Sequence, residues 1–434
     1  MNIRLHNARI LTMEKDSPLF TGEVWVCGEK IAYVGAKKEN VSGVQGKTAS
    51  DIKWDKEIDC HGNLLMPGFK NAHTHSAMTF LRSYADDLPL QEWLNEKVFP
   101  AEAHLTEEDI YELTKLAVLE YLTSGVTGIF DMYINPDAVG RACEEMGMRC
   151  VLVSGLNNFT SSVKQTQEEY KKWNSKNGLV SYRLGFHAEY TCSHEILREL
   201  AEVANRLKAP VYAHMNETVK EVADCKERYG AEPIKFLDSL GLFEYGGGGF
   251  HCVHVTEEEI EILKKRKMYV VTNPASNLKL ASGIAPISRF AREDIPVAIG
   301  TDGPASNNCL DMFREMYLVS ALAKLRESDA SCMDAAEVLR MATVNGAKAM
   351  GLTDADVLKE GKLADIILID LNQPNMQPIH NIPKNLVYSG SKQNVIMTMI
   401  NGQILYQEGA FFVGQSAVDI YEGANRIVKR MLLQ

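Results

Sequence analysis

The hydrophobic pattern changes character twice along the chain. Near the start, "IRLHNARIL", "GEVWVCG" and "KIAYVG" are short runs of period two separated by Gly, Asn and Lys, the grammar of strands and hairpins. The same grammar returns near the end in "GKLADIILIDL", "VIMTMINGQILYQEG" and "AFFVG". Either half alone would leave open sheet edges, so the two ends are expected to build one small β-sandwich domain over 1–64 and 353–434. The stretch "VDIYEGANRIVKRMLL" predicts a short amphipathic helix closing the chain.

Over 65–352 the pattern is different. Apolar runs that read as strands alternate with stretches of helical period such as "TEEDIYELTKLAVLEYLTS". The strand runs are "LLMPGFKNAHTH", "GVTGIFDMY", "RCVLVSG", "SYRLGFH", "PVYAHMN", "GGGFHCVH", "KMYVVTNPAS" and "PVAIGTDG". Eight such units predict an α/β fold, a (β/α)8 TIM barrel. "PVAIGTDG" and "KMYVVTNPAS" are continuously apolar, as parallel strands buried on both faces should be. The "GGGG" at 246–249 reads as a flexible loop ahead of the sixth strand.

Length and composition agree with this division. A chain of 434 residues exceeds the usual single domain, and a barrel of this kind takes about 250 residues by itself. Hydrophobic residues at 45% and charged residues at 24% exclude a disordered chain. A net charge of -11 with no basic block argues against nucleic acid or an anionic membrane as a partner. The 9 cysteines are scattered without a C-x-x-C pair, which argues against a disulfide framework and a thiolate zinc cluster and for a reducing cytoplasm. The start has no basic region followed by an apolar run, and no apolar segment is long enough to cross a membrane.

In such barrels the chemistry sits at the C-terminal ends of the strands. Those ends hold His73 and His75, His187, His214 and Glu217, His251 and His254, and Asp302. Residues two apart on a strand face the same side, so both histidines of "HTH" can reach one ion. A catalytic metal site needs three or four protein ligands with one position left open, and His214 and Asp302 are well placed to complete the set.

The stretches "PGFKNAHTH", "HMNET", "HCVH", "NPASNLKL" and "GTDGPASNN" resemble the amidohydrolase superfamily. More narrowly they are similar to its 5-methylthioadenosine/S-adenosylhomocysteine deaminases and their triazine chlorohydrolase relatives. The resemblance implies metal binding by His73, His75, His214 and Asp302, with Glu217 and His251 handling protons. A bound Zn2+ lowers the pKa of its water from about 15.7 to about 7, so the reaction needs no strong base. Asp302 and His251 could take that water's proton, while Glu217 would protonate a ring nitrogen and then the departing ammonia. The fourth strand, "RLGFHAEYTC", has no lysine to carboxylate as a bridge between two metals, which favours one ion, Zn2+ with Fe2+ or Mn2+ as alternatives. The H-x-E and P-C-x-x-C pair of the other base deaminases is absent.

The same resemblance assigns His187 to nucleoside contact and Glu102 to the ribose hydroxyls. Trp93 reads as packing of the long segment after the first strand. Relatives that accept S-adenosylhomocysteine carry arginines after the third strand, where this chain has Ser154 in "VLVSGLNNFTSSVK" and no arginine follows. Lys164 could serve only as a point charge. Substrates with an uncharged 5' group, such as 5'-methylthioadenosine or adenosine, are therefore expected to be preferred over S-adenosylhomocysteine. Two alternatives stand beside this reading: hydrolysis of a triazine, guanine or pterin ring, and a non-catalytic barrel that senses a purine or metal. The partner in every case is a small molecule, and a homo-oligomer is compatible with the chain.

Overall fold

The computed structural model describes residues 1–36, 52–176 and 178–432. Eight parallel strands stand side by side in chain order: Phe69–Thr74, Val126–Tyr133, Cys150–Ser154, Val180–Ala188, Val211–Met215, Gly247–His251, Tyr269–Thr272 and Val297–Ile299. The first and last meet to close the barrel. The backbone N–H groups of Thr301 and Asp302 donate to His73 O at 3.1 and 3.0 Å. The Asn71 side chain donates to Thr301 Oγ1 at 2.8 Å and accepts from Thr301 N at 2.9 Å. Inward-facing Ala72, Phe130, Met132, Val151, Val153, Phe250, Val271 and Ala298 fill the interior, so the barrel is a packed core rather than a pore.

The "GGGG" stretch corrects the expectation of a flexible loop: Gly247–His251 is a buried strand. Its glycines are there for closeness, since a Cβ on Gly247 would lie 1.9 Å from Val211 O and one on Gly248 would lie 2.8 Å from the Tyr212 ring. The bare backbone leaves room for Tyr212 inside the barrel.

Helices follow the strands, and their starts are written in the sequence. Thr106 with Asp109, Thr218 with Glu221, and Thr256 with Glu259 form capping boxes at Glu107–Thr123, Val219–Tyr229 and Glu257–Lys265. Among the described residues no helix is long and apolar enough to cross a membrane.

The two chain ends form one nine-stranded sheet. They meet at Leu64–Pro67, which pairs in parallel with Asn2–Ile10 and antiparallel with Ile366–Ile369. The first apolar run is thus divided: "LLMP" belongs to the terminal sheet and only Phe69–Thr74 to the barrel. A buried ionic joint ties this sheet to the barrel floor. Arg149 clasps Asp365 with two hydrogen bonds of 2.7 and 2.9 Å, and Lys70, fully buried, donates to Gly68 O and Thr127 Oγ1 at 3.0 and 2.6 Å. The helix Ala417–Leu432 lies against Glu107–Thr123, pinned by Arg430 to Asp109 at 2.6 Å; the last residue of the expected helical stretch lies outside the described residues.

Candidate active site

At the C-terminal mouth of the barrel the strand ends converge on one buried cluster. Ligand atoms of His73, His214, His251 and Asp302 all lie within 4.8 Å of one another. His75 joins through Asp302, whose Oδ1 is 3.1 Å from His75 Nε2 and 3.5 Å from His73 Nε2. Three of the four expected ligands, His73, His214 and Asp302, thus lie in one group with His251, and the fourth, His75, reaches it through Asp302.

The outer bonds of these side chains decide where their lone pairs point. His75 Nδ1–H donates to Met132 O at 2.5 Å, His214 Nδ1–H to His187 O at 2.6 Å, and His251 Nδ1–H to Asn277 Oδ1 at 2.7 Å. Each of these bonds places a proton on Nδ1 and turns Nε2 inward, and His214 Nε2 lies 3.1 Å from His73 Nε2. Asp302 is oriented in the same way: Ser276 and Ser306 hydroxyls donate to its Oδ2 at 2.5 and 2.9 Å, leaving Oδ1 to the histidines. Imidazole nitrogens crowded beside one carboxylate oxygen suit a divalent metal ion.

The backbone bears the cost of this convergence. Asn216, His251 and Asp302 all adopt left-handed conformations, with φ of 54°, 71° and 61°. Non-glycine residues held this way at three strand ends mark a site whose geometry the surrounding fold imposes. At the fifth strand, Glu221 does the imposing. Its carboxylate accepts from Asn216 N at 2.8 Å and Glu217 N at 2.7 Å, bending the chain so that Glu217 enters the cavity.

Burial and neighbours set the charge states. Burial pushes His73 down to about 3 against the pull of Asp302, and takes His214, among four other imidazoles, well below the usual histidine value. Burial likewise lowers His187 to about 4. Asp302 is held well below the usual carboxylate range, since its histidine partners outweigh its burial. His75 goes the other way, to about 9, because Asp302 overcomes burial. Burial raises Glu217 above its ordinary value, with His251 opposing. Glu217 Oε2 is 3.9 Å from His251 Nε2, and Ser282 donates to its Oε1 at 3.2 Å.

The cluster forms one end of a cavity of about 650 Å³. Glu102, His187, Glu217, His251 and Asp302 all line it. Glu102 is the last residue of the short helix Phe99–Glu102; its buried carboxyl group and the buried hydroxyl of Tyr133, also in the wall, face each other, and neither bonds any other described side chain. Burial pushes the Glu102 carboxyl up to about 7, with Tyr133 and His75 opposing. Trp93 is 6% exposed and belongs to the core as well as to the cavity wall.

Two expected residues fall elsewhere. The Ser154 hydroxyl bonds Thr166 Oγ1 at 3.0 Å and accepts from Leu156 N at 3.1 Å, behind the residues that line the cavity. The turn it braces lines the cavity through Gly155, Asn157, Phe159 and Thr160. Lys164 stands exposed on a helix with Glu168 at 4.0 Å, away from the cavity. His254 is the backbone-bonded histidine, donating to Ser282 O at 2.6 Å.

Sequence reading missed Tyr133 and the orienting residues Ser276, Asn277 and Ser306. Ser276 and Asn277 stand in "NPASNLKL" and Ser306 in "GTDGPASNN", yet only the fold shows that they aim Asp302 and His251. Tyr133 ends an apolar strand and looks like core.

Fold and cluster together define a metal-dependent hydrolase built on a barrel. The match is specific: the amidohydrolase family pattern covers residues 64–405, and the chain belongs to that family. The 5-methylthioadenosine/S-adenosylhomocysteine deaminase of Thermoanaerobacter pseudethanolicus is 39% identical over 417 residues, 94% of each chain. The protein of the same name from Pelotomaculum thermopropionicum is 40% identical over 413 residues, again 94% of each. Among solved structures, an adenosine deaminase from Xanthomonas campestris with bound zinc superposes with a TM-score of 0.91 at 31% identity, covering 100% of this chain and 98% of that one. A zinc-complexed atrazine chlorohydrolase from Arthrobacter aurescens has a TM-score of 0.85 at 22% identity over 98% of this chain and 100% of that one, a likeness of fold alone.

Proposed function

We propose that the chain is a metal-dependent deaminase that hydrolyses the exocyclic amine of an adenosine-type nucleoside, releasing ammonia and the inosine analogue. One observation carries the nucleoside part. The same cavity that ends in the His/Asp cluster also presents the buried Glu102 carboxyl group and the Tyr133 hydroxyl beside it, which leave carboxylate lone pairs unfilled. A ribose diol would satisfy them, since a carboxylate can accept both adjacent O–H donors. A free triazine or guanine has no adjacent hydroxyl pair to place there.

We read the ligands as His73, His75, His214 and Asp302, and the ion as a single zinc, with Fe2+ or Mn2+ able to suit the same donors. When bound, the ion supplies a water acidified to a pKa of about 7, competent to add to the amine-bearing ring carbon near neutral pH. His251 and Asp302 are oriented by Asn277 and by the serine pair so that Nε2 and Oδ1 face the cluster, where either would take a proton as water adds. Burial favours the protonated acid at Glu217, which donates to the ring nitrogen and then relays a proton to the departing amine. His187 and Glu102 hold the nucleoside, and Ser154 acts only by bracing the turn beside its 5' end.

Among the described residues no lysine or arginine lines the cavity. That supports a preference for an uncharged 5' group, 5'-methylthioadenosine or adenosine over S-adenosylhomocysteine, because a buried carboxylate would find no cation. All 9 cysteines are free, which supports a cytoplasmic setting. Ammonia release from adenosine, 5'-deoxyadenosine, 5'-methylthioadenosine, S-adenosylhomocysteine, guanine and a chlorotriazine tests the reading. The two nucleosides with small 5' groups should give the highest kcat/KM. Equal kcat/KM on S-adenosylhomocysteine and 5'-methylthioadenosine would defeat the 5' preference, and turnover of guanine or the triazine alone would defeat the nucleoside assignment.

A further inference from the structure

A second cavity, of about 490 Å³, opens at the opposite, N-terminal mouth of the barrel. Its wall holds five cationic side chains, Arg183, Lys265, Arg266, Lys267 and Lys348, in a chain whose net charge is -11. The one carboxylate in the wall, Glu244, is already engaged by Arg266 at 2.7 Å. The run Lys264–Lys267, joined here by residues from two other elements, corrects the expectation that the chain has no basic block.

Most of these cations have an ordinary structural explanation. Lys265, Arg266 and Lys267 end or follow the helix Glu257–Lys265, and Lys348 lies in the last turn of Gly346–Met350, where positive charge complements the carbonyl ends. Arg183 does not share it. It sits within the strand Val180–Ala188, half-buried, and its guanidinium makes no hydrogen bond or ion pair with any described residue. Lys265, Lys267 and Lys348 likewise have no ion-pair partner among the described residues. Gly351 permits the arrangement, since a Cβ there would lie 1.8 Å from Arg183 Nη2.

We propose that this cavity binds a small ligand carrying phosphate groups. A half-buried arginine fork flanked by unpaired ammonium groups supplies the paired and point-charge donors that phosphate oxygens take. The rings of Tyr245 and Tyr269, also in the wall, offer apolar faces to the rest of such a ligand. The site is distinct from the catalytic cavity. Arg183 and His187 share one strand four residues apart, which places the two mouths on the order of 13 Å from each other along the barrel wall.

Calorimetric titration of the metal-loaded full chain with inorganic pyrophosphate and with uridine diphosphate tests the proposal. The uridine nucleotide avoids the adenine-type chemistry of the catalytic cavity. Saturable binding of one equivalent is expected, weakened about tenfold or more by Arg183→Gln and several-fold by Lys348→Gln or Lys267→Gln, while the exposed Lys164→Gln leaves it unchanged. Retained ammonia release shows that each variant is folded, and if Arg183→Gln fails that check the two exposed lysines decide the matter. Tighter binding of the nucleotide, lost in Tyr245→Ala, identifies a nucleoside phosphate, and equal affinities identify the phosphate group alone. No saturable binding, or binding that Lys164→Gln weakens as much as Lys348→Gln does, would show that the cations only complement helix ends.

Discussion

The barrel carries a buried charged cluster at each end, and the two are finished differently. At the floor, Asp365 accepts from Arg149 at 2.7 and 2.9 Å and from Asn401 N at 2.9 Å, while Lys70 has two oxygen acceptors at 3.0 and 2.6 Å. Those donors and acceptors are matched, and the cluster joins the terminal sheet to the barrel. At the mouth, the outward atoms are matched just as carefully, by Met132 O, His187 O, Asn277, Ser276 and Ser306, but the inward ones crowd onto one another, three Nε2 atoms sharing the space around Asp302 Oδ1 at separations of 3.1 to 3.5 Å. Burial and charge alone do not separate the two clusters. Incomplete inner valence does, and it marks the mouth as the place where a ligand belongs.

Substitutions that break this contrast should show it, in decreasing order of effect. His73→Ala removes a ligand and should abolish both metal retention and turnover. Glu217→Gln should retain the metal and lose about 10²- to 10⁴-fold in kcat, since only a proton relay is removed. Full activity in Glu217→Gln would refute that role. At the floor, Arg149→Met leaves Asp365 buried without its partner and should cost about 3–5 kcal/mol in denaturant unfolding, while the folded fraction keeps its metal and kcat/KM. Ser276→Ala frees one Asp302 oxygen to turn, with an expected loss of about 10- to 100-fold in metal affinity and little change in stability.

The smallest effect sharpens the picture at the ribose end. Burial sets the Glu102 carboxyl at about 7, above its ordinary 4.5, so it is protonated below that pH and a poorer acceptor for the diol. The KM for 5'-methylthioadenosine should therefore fall as pH rises from 6 to 8, by about tenfold if ionisation alone controls binding, and then level off. Glu102→Gln should flatten that dependence, and a KM profile identical to wild type would remove Glu102 from substrate contact.

Much of this was legible in the chain before any coordinates. Continuous apolar runs alternating with helical period gave away the barrel, because parallel strands buried on both faces have no polar side to show. Polar residues ending those runs pointed to the cluster. What stayed hidden depends on relations that no linear pattern records. "GGGG" is flexible in isolation and rigid here, because Val211 and Tyr212 press against it. Ser154 stands at the right strand end, yet Thr166 and Leu156 occupy its hydroxyl. Tyr133 looks apolar by position, and only the fold reveals that its hydroxyl stands beside Glu102 in the cavity wall.

The central claim is that the open cluster becomes an adenosine-type deaminase when its inner valence is filled. The direct measurement is ammonia release from 5'-methylthioadenosine as chelated protein is titrated with Zn2+, with metal content determined on the same samples. Activity should rise linearly to a plateau at one ion per chain, with one ammonia released per nucleoside consumed. Full activity in protein shown to be metal-free, or silence at one ion per chain while a free heterocycle is turned over, would contradict it.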